Sequence, residues 1–284
     1  MKIAFWSNAN EKSGVTANLA AISVASVIRF PYNILAFENH LCNNNLGCAY
    51  LGTSKVEMLR EVGTNYYEGG GIEGLLRGVY RGEYNFDRMS LYMKEIINKH
   101  LYYIPQSKVI PRELFDYEFN NSIQPLLSFL EEYTDISFID TASRYNLSSK
   151  TILEEADLIV VNLSQSPVII EDFLLNYSSL IPKAVFLIGK YNNHSIFNSK
   201  KLSQIYEIPI ERITAIPYNE MFCNAFLNGS IVEFIYSNYT SDRNNPNYSY
   251  IQALKKATYM IIKNAELLGG LKRRELYPCI QCHS

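Results

Sequence analysis

The strongest constraint in this sequence is a set of apolar runs that do not alternate with polar residues. DISFID (135–140), DLIVVNL (157–163) and AVFLIG (184–189) are almost continuously aliphatic or aromatic. A strand with one wet face would alternate, so these strands are buried on both sides, as in a parallel sheet covered by helices. KIAFW (2–6), NILAFE (33–38), LYYIP (101–105) and ITAIPYN (213–219) read as further short strands. Helix candidates stand between them: GVTANLAAISVASVI (14–28), NSIQPLLSFLEEY (121–133), SKTILEEA (149–156), VIIEDFLLNYSSL (168–180) and SKKLSQIY (199–206). Repeated strand–helix order predicts a doubly wound α/β fold, a mostly parallel sheet of about seven or eight strands flanked by helices. We expect one domain over 1–270 and a basic C-terminal tail over 271–284.

Composition narrows the partners. A formal charge of −2 gives no overall pull towards nucleic acid or anionic lipid, so DNA is not an expected partner. No apolar run reaches the ~20 residues of a membrane span, and the first residues read as a core strand, not a leader; a cytoplasmic protein is expected. The five cysteines are an odd number and do not read as a disulfide framework. Cys279, Cys282 and His283 resemble half of a metal site, but no second CxxC completes it, and a tail with two incidental thiols is the simpler reading.

The first strand runs into the polar turn SNANEKS and then into a small-residue helix. Strand, tight loop, Lys-Ser and helix is the setting in which backbone amides and a helix N-terminus converge on phosphate. There, residues Asn8, Ala9, Asn10, Glu11, Lys12, Ser13 and Gly14 form the loop. Lys12 reaches the terminal phosphates, and the Ser13 hydroxyl stands where Mg²⁺ is ligated. Glycines are absent from Trp6 and Glu11, where a complete motif needs them, and Glu11 brings negative charge towards an anion. Taken alone, a capped core helix after a loop explains the stretch as well.

Two carboxylates close strands on the same side. Asp140 ends the strand in DISFID, where open α/β sheets place ligand chemistry and where an acid can hold the water shell of Mg²⁺. Glu38 ends NILAFE. Residues 53–100, including EGGGIEGLLRGVYRGE, are polar with helical pieces and are expected to form a flexible insertion. NAFLNGSIVEFIYS (224–237) reads as one helix. Ile251, Leu254, Thr258, Ile261, Ala265 and Leu268 mark one face of a terminal helix, stopped by Gly269-Gly270. The basic LKRREL beyond it offers a contact to a membrane or partner, with a solvated helix end as the default.

In order along nearly the whole chain, these pieces resemble the ParA/MinD-like P-loop ATPases. Lys12-Ser13-Gly14-Val15-Thr16-Ala17-Asn18-Leu19-Ala20 is similar to the second half of the family's opening KGGxGK[ST]xxANLA. NILAFENHLCNNNLGCAYLG, LYYIPQSKVIPRELF, YTDISFIDTAS, EEADLIVVNLSQS and ITAIPYNEMFCNAFLNG resemble its later segments. The resemblance implies ATP and Mg²⁺ as ligands. Lys12 would sit on phosphate, Ser13, Glu38 and Asp140 around the metal, and Asp140 and His40 in catalytic roles.

The departures carry implications of their own. Ser7 stands where the family has a signature lysine that bridges to a partner subunit's phosphate. His40 stands where the family has an aspartate that orients water. Slow or absent hydrolysis and a weakened homodimer follow. In this character the chain resembles the TadZ/CpaE group, which localises secretion and pilus machinery at a cell pole. Those proteins usually carry a preceding receiver-like domain, which this sequence does not show. An active partition ATPase and a nucleotide-free scaffold are the alternatives.

Overall fold

A computed structural model describes residues 1–9, 13–42, 45–52, 70–83, 89–106, 111–143, 146–192 and 194–268. Eight strands form one sheet: β1 (Lys2–Trp6), β2 (Ile34–Glu38), β3 (Lys94–Ile97), β4 (Leu101–Tyr103), β5 (Ile136–Asp140), β6 (Leu158–Leu163), β7 (Ala184–Tyr191) and β8 (Ile213–Pro217). Their order across the sheet is β3-β4-β2-β5-β1-β6-β7-β8. Every pairing is parallel except β3 with β4. The doubly wound, mostly parallel expectation therefore holds. What the sequence missed is β3: KEII carries two charges on an exposed edge, and its pairing partner is the strand that follows it.

The helices divide between the two faces. On one lie α1 (Val15–Arg29), α2 (Leu46–Leu51), α9 (Glu220–Asn228), α10 (Ile231–Asn238) and α11 (Tyr248–Leu267). On the other lie α3 (Gly71–Arg81), α4 (Met89–Tyr92), α5 (Arg112–Tyr133), α6 (Leu147–Glu155), α7 (Pro167–Asn176) and α8 (Ser199–Ile205). Strand β1 shows why the sheet needs both layers: Ile3 and Phe5 enter one core, Ala4 and Trp6 the other. All four are at most 2% exposed, so both faces of that stretch are apolar.

Three expectations are corrected. Of the stretch expected to be a flexible insertion, 53–69 and 84–88 lie outside the described residues, and Gly71–Arg81 is an ordered helix, α3. Gly74 and Gly78 each weaken it by roughly 1 kcal/mol, but Ile72, Leu75, Leu76 and Val79 are buried, at ~1.5–3 kcal/mol per side chain. Packing against α5 outweighs the intrinsic preference. The single helix expected over 224–237 is two, broken at Gly229, whose φ is +69° and whose missing side chain lets the backbone of Gly52 lie against it. Leu268, assigned to the buried face of α11, is 48% exposed. Gly269-Gly270 and the basic tail lie outside the described residues.

Candidate functional site

The parallel strands point their carboxyl ends to one edge, and β1 is where the winding reverses: β2 and β5 lie to one side of it, β6 to the other. Ligand crevices in open α/β sheets form at this switch point. A cleft of about 530 Å³ opens there, lined among others by Ala9, Ser13, Thr16, His40, Asp140 and Lys190.

Helix α1 begins at Val15, one residue later than the sequence suggests. Gly14 takes a left-handed φ of +74°, and no side chain caps the helix. The first-turn residues Val15, Thr16 and Ala17 line the cleft. Intrahelical bonding starts with the Asn18 amide donating to the Gly14 carbonyl at 2.9 Å. An uncapped N-terminus open to a cleft favours an anion by charge and by free donors. The helix is fixed to the sheet by a buried amide pair, Asn18 Nδ2 donating to Asn162 Oδ1 of β6 at 2.9 Å. Gly189 of β7 packs so closely on the Ser13 carbonyl that any side chain there would overlap it.

Asp140 is 1% exposed at the floor of the cleft. His40 Nε2 approaches its Oδ1 at 3.3 Å, while Oδ2 is buried with no partner among the described residues. Burial alone would push the His40 imidazole down. The Asp140 carboxylate, by charge and hydrogen bond, together with Cys42 and Glu38, holds it well above its ordinary value. The His40 carbonyl accepts from Gln106 Nε2, and the neighbouring Asn39 is a buried hub. Its Oδ1 accepts from the Ala142 amide at 2.6 Å, and its Nδ2 donates to Ser149 Oγ at 3.0 Å. These bonds tie the end of β2 to the end of β5, and so His40 to Asp140. Neither Asn39 nor Gln106 carries a sequence signal, since both act through contacts across strands.

Several expected site residues are brought together and others are not. Ala9, Ser13, Gly14, His40 and Asp140 share the cleft. Asn10, Glu11 and Lys12 lie outside the described residues. The Asn8 amide is turned to α7, donating to the Ile169 carbonyl and to Asp172 Oδ2, both at 2.8 Å. Ser7 is fully buried and accepts from the Ala9 amide at 3.1 Å.

Glu38, expected at the metal, is fully buried with both oxygens engaged. One accepts from the Leu46 amide at the start of α2, the other from the Tyr103 hydroxyl at 3.1 Å. Burial pushes its carboxyl up to about 7, against the pull of His40 and with the push of Asp140. It is a strut between β2, β4 and α2. Among the described residues no three His, Cys, Asp or Glu gather as a ligand set.

No family model and no curated protein matches the sequence. Solved structures do. The pNOB8 ParA structure aligns with a TM-score of 0.67 at 14% identity, covering 94% of this chain and 99% of that one. A ParA family ATPase from Chlorobium tepidum gives 0.66 at 12% identity, over 90% and 98%. The septum site-determining protein MinD of Pyrococcus horikoshii, complexed with Mg-ADP, gives 0.64 at 14%, over 95% and 99%. The fold is that of the ParA/MinD P-loop ATPases.

The residues present suit a nucleotide and its metal. The first turn of α1, which no side chain caps, lines the cleft, and so does Asp140, one of whose carboxylate oxygens is buried with no partner among the described residues. Ser13 and Asp140 are the groups that would hold Mg²⁺, directly or through water.

Proposed function

We propose that this chain is a MgATP-binding localisation or scaffold factor that hydrolyses nucleotide feebly or not at all. The observation that carries the reading is the His40–Asp140 pair at the cleft floor, 3.3 Å across, with Asp140 buried. A water-activating group must offer a free lone pair within reach of the water. His40 commits its Nε2 to Asp140, which raises the imidazole's affinity for a proton, so it favours the charged form and is a poor base for a water. Asp140 keeps one oxygen for the metal's water shell. Phosphoryl transfer depends on positioning and on neutralising developing charge, so this arrangement supports binding more than turnover. Ser13 and Asp140 would hold Mg²⁺, which would supply positive charge against the phosphates, and the first turn of α1 would orient what is bound.

A factor of this kind acts through protein partners. In the TadZ/CpaE-like version these are secretion or pilus components at a cell pole, with a homodimer weaker than one bridged by a signature lysine. No helix among the described residues is long and apolar enough to cross a membrane, and peripheral contact through the basic tail belongs to the same proposal.

Phosphate release at saturating MgATP, with Lys12→Ala as the blank, tests the reading alongside thermal melts. ATP raises the melting temperature of the wild type, Asp140→Asn loses the Mg²⁺-dependent part, and turnover stays near the blank. Turnover at the level of an active partition ATPase, lost in Lys12→Ala, would replace the scaffold by that enzyme. No ATP-dependent stabilisation would leave a nucleotide-free scaffold.

A further inference from the structure

Two cations line the cleft beside Ser13 and Asp140. Arg112 opens helix α5, and Lys190 lies near the end of β7. Each is placed against a local preference. A cation in the first turn of a helix opposes the helix dipole, yet Arg112 occupies that turn. Its carboxylate contact is loose, Nε to Asp116 Oδ2 at 3.9 Å, with its side chain 48% exposed. Lys190 adopts a φ of +50°, a left-handed conformation that a side chain bearing Cβ disfavours, where the β7–β8 register slips between Ile188 and Tyr191. Its side chain makes no ion pair or hydrogen bond among the described residues. Locally disfavoured conformations and placements persist where the surroundings hold them, and they concentrate at binding sites.

Charge in the cleft points the same way. Among its described lining residues Asp140 is the sole acid, and His40 already pairs with it. Among the described residues Lys190 has no acidic partner and Arg112 only the loose contact to Asp116, and the two flank an uncapped helix N-terminus: α5 follows β4, and β7 lies beyond β6. Gly189 explains how Lys190 comes so near, because its lack of a side chain lets β7 rest on the Ser13 carbonyl.

We propose that Arg112 and Lys190 bind the phosphate chain of the nucleotide, gripping a polyphosphate from opposite sides of the cleft. The proposal rests on the nucleotide reading and extends it, by placing phosphate charge recognition on α5 and β7 as well as on the loop after β1. A polyphosphate is the ligand of choice because separated cations need several anionic oxygens spread along a chain.

The test measures binding of ATP, AMP and inorganic tripolyphosphate by calorimetry with Mg²⁺, on wild type, Arg112→Ala, Lys190→Ala and the double variant. Lys190→Gly removes the charge and relieves the backbone, so its melting temperature should equal or exceed that of the wild type and it reports binding on an intact fold. Each single change weakens ATP and tripolyphosphate by about tenfold, and the double by about a hundredfold; AMP changes far less. Arg112→Lys and Lys190→Arg retain most affinity. ATP binding by the wild type that the double variant leaves unchanged overturns the proposal and spares the nucleotide reading. Tripolyphosphate bound as tightly as ATP, dependent on both cations, ends the nucleotide reading and keeps the polyphosphate site. Binding of neither ligand ends both.

Discussion

Replacing Glu38 by glutamine should stabilise the protein above neutral pH and do little in acid. Glu38 is fully buried, and burial raises its carboxyl from 4.5 to about 7. Its folded value lies above its unfolded one, so the stability it contributes is complete below 4.5 and is lost as pH rises through about 7. At ~1.4 kcal/mol for each tenfold in proton affinity, ionised Glu38 disfavours the folded state at pH 8 by about 3 kcal/mol. Glutamine has the same shape: its carbonyl accepts from the Leu46 amide, and its NH₂ can donate to the Tyr103 hydroxyl that Glu38 now accepts from. For a chain of this length, about 3 kcal/mol corresponds to a rise of ~5 °C in melting temperature. Urea melts at pH 5 and pH 8 give the difference directly. The Glu38→Gln advantage should appear at pH 8 and shrink towards pH 5. An advantage of equal size at both pH values, or a loss at both, would refute burial as the cause and make the carboxylate's charge part of what holds α2.

Two further predictions concern packing. Gly229→Ala forces a left-handed φ on alanine and drives its methyl into the Gly52 backbone, so destabilisation of at least ~3 kcal/mol is expected in thermal melts. Gly82→Ala is its control: φ is +68° with nothing within 4 Å, and only the ~1 kcal/mol conformational term should appear. The buried amide pair of Asn18 and Asn162 should show a coupling of ~1 kcal/mol in a double-mutant cycle read by urea unfolding, since each single change strands the other amide. Additive effects would mean that the bond does not join α1 to β6.

Strands β5, β6 and β7 are legible because burial on both faces writes itself into the sequence as apolar runs, and β1, β2, β4 and β8 as shorter apolar pieces between helices. Asp140 is legible too, as a carboxylate that closes such a run. β3 is not, because an edge strand needs no apolar face and KEII gains its order from β4. Nor is α3, where glycines argue against a helix locally and buried Leu75, Leu76 and Val79 argue for one only once α5 lies beside them.

The site divides on the same line. Position at a strand end predicts which residues reach the cleft edge, and so brings Ser13, His40 and Asp140 into view. It says nothing of what each side chain meets there. Glu38 and His40 stand two residues apart with the same apparent prospects. Tertiary packing turns the first onto Leu46 and Tyr103 and the second onto Asp140. Arg112 and Lys190 belong to segments 78 residues apart in the chain (190 − 112). Their meeting at one cleft is a consequence of strand order alone. Sequence determines which segments are buried; only the folded sheet decides which polar groups are left facing one another.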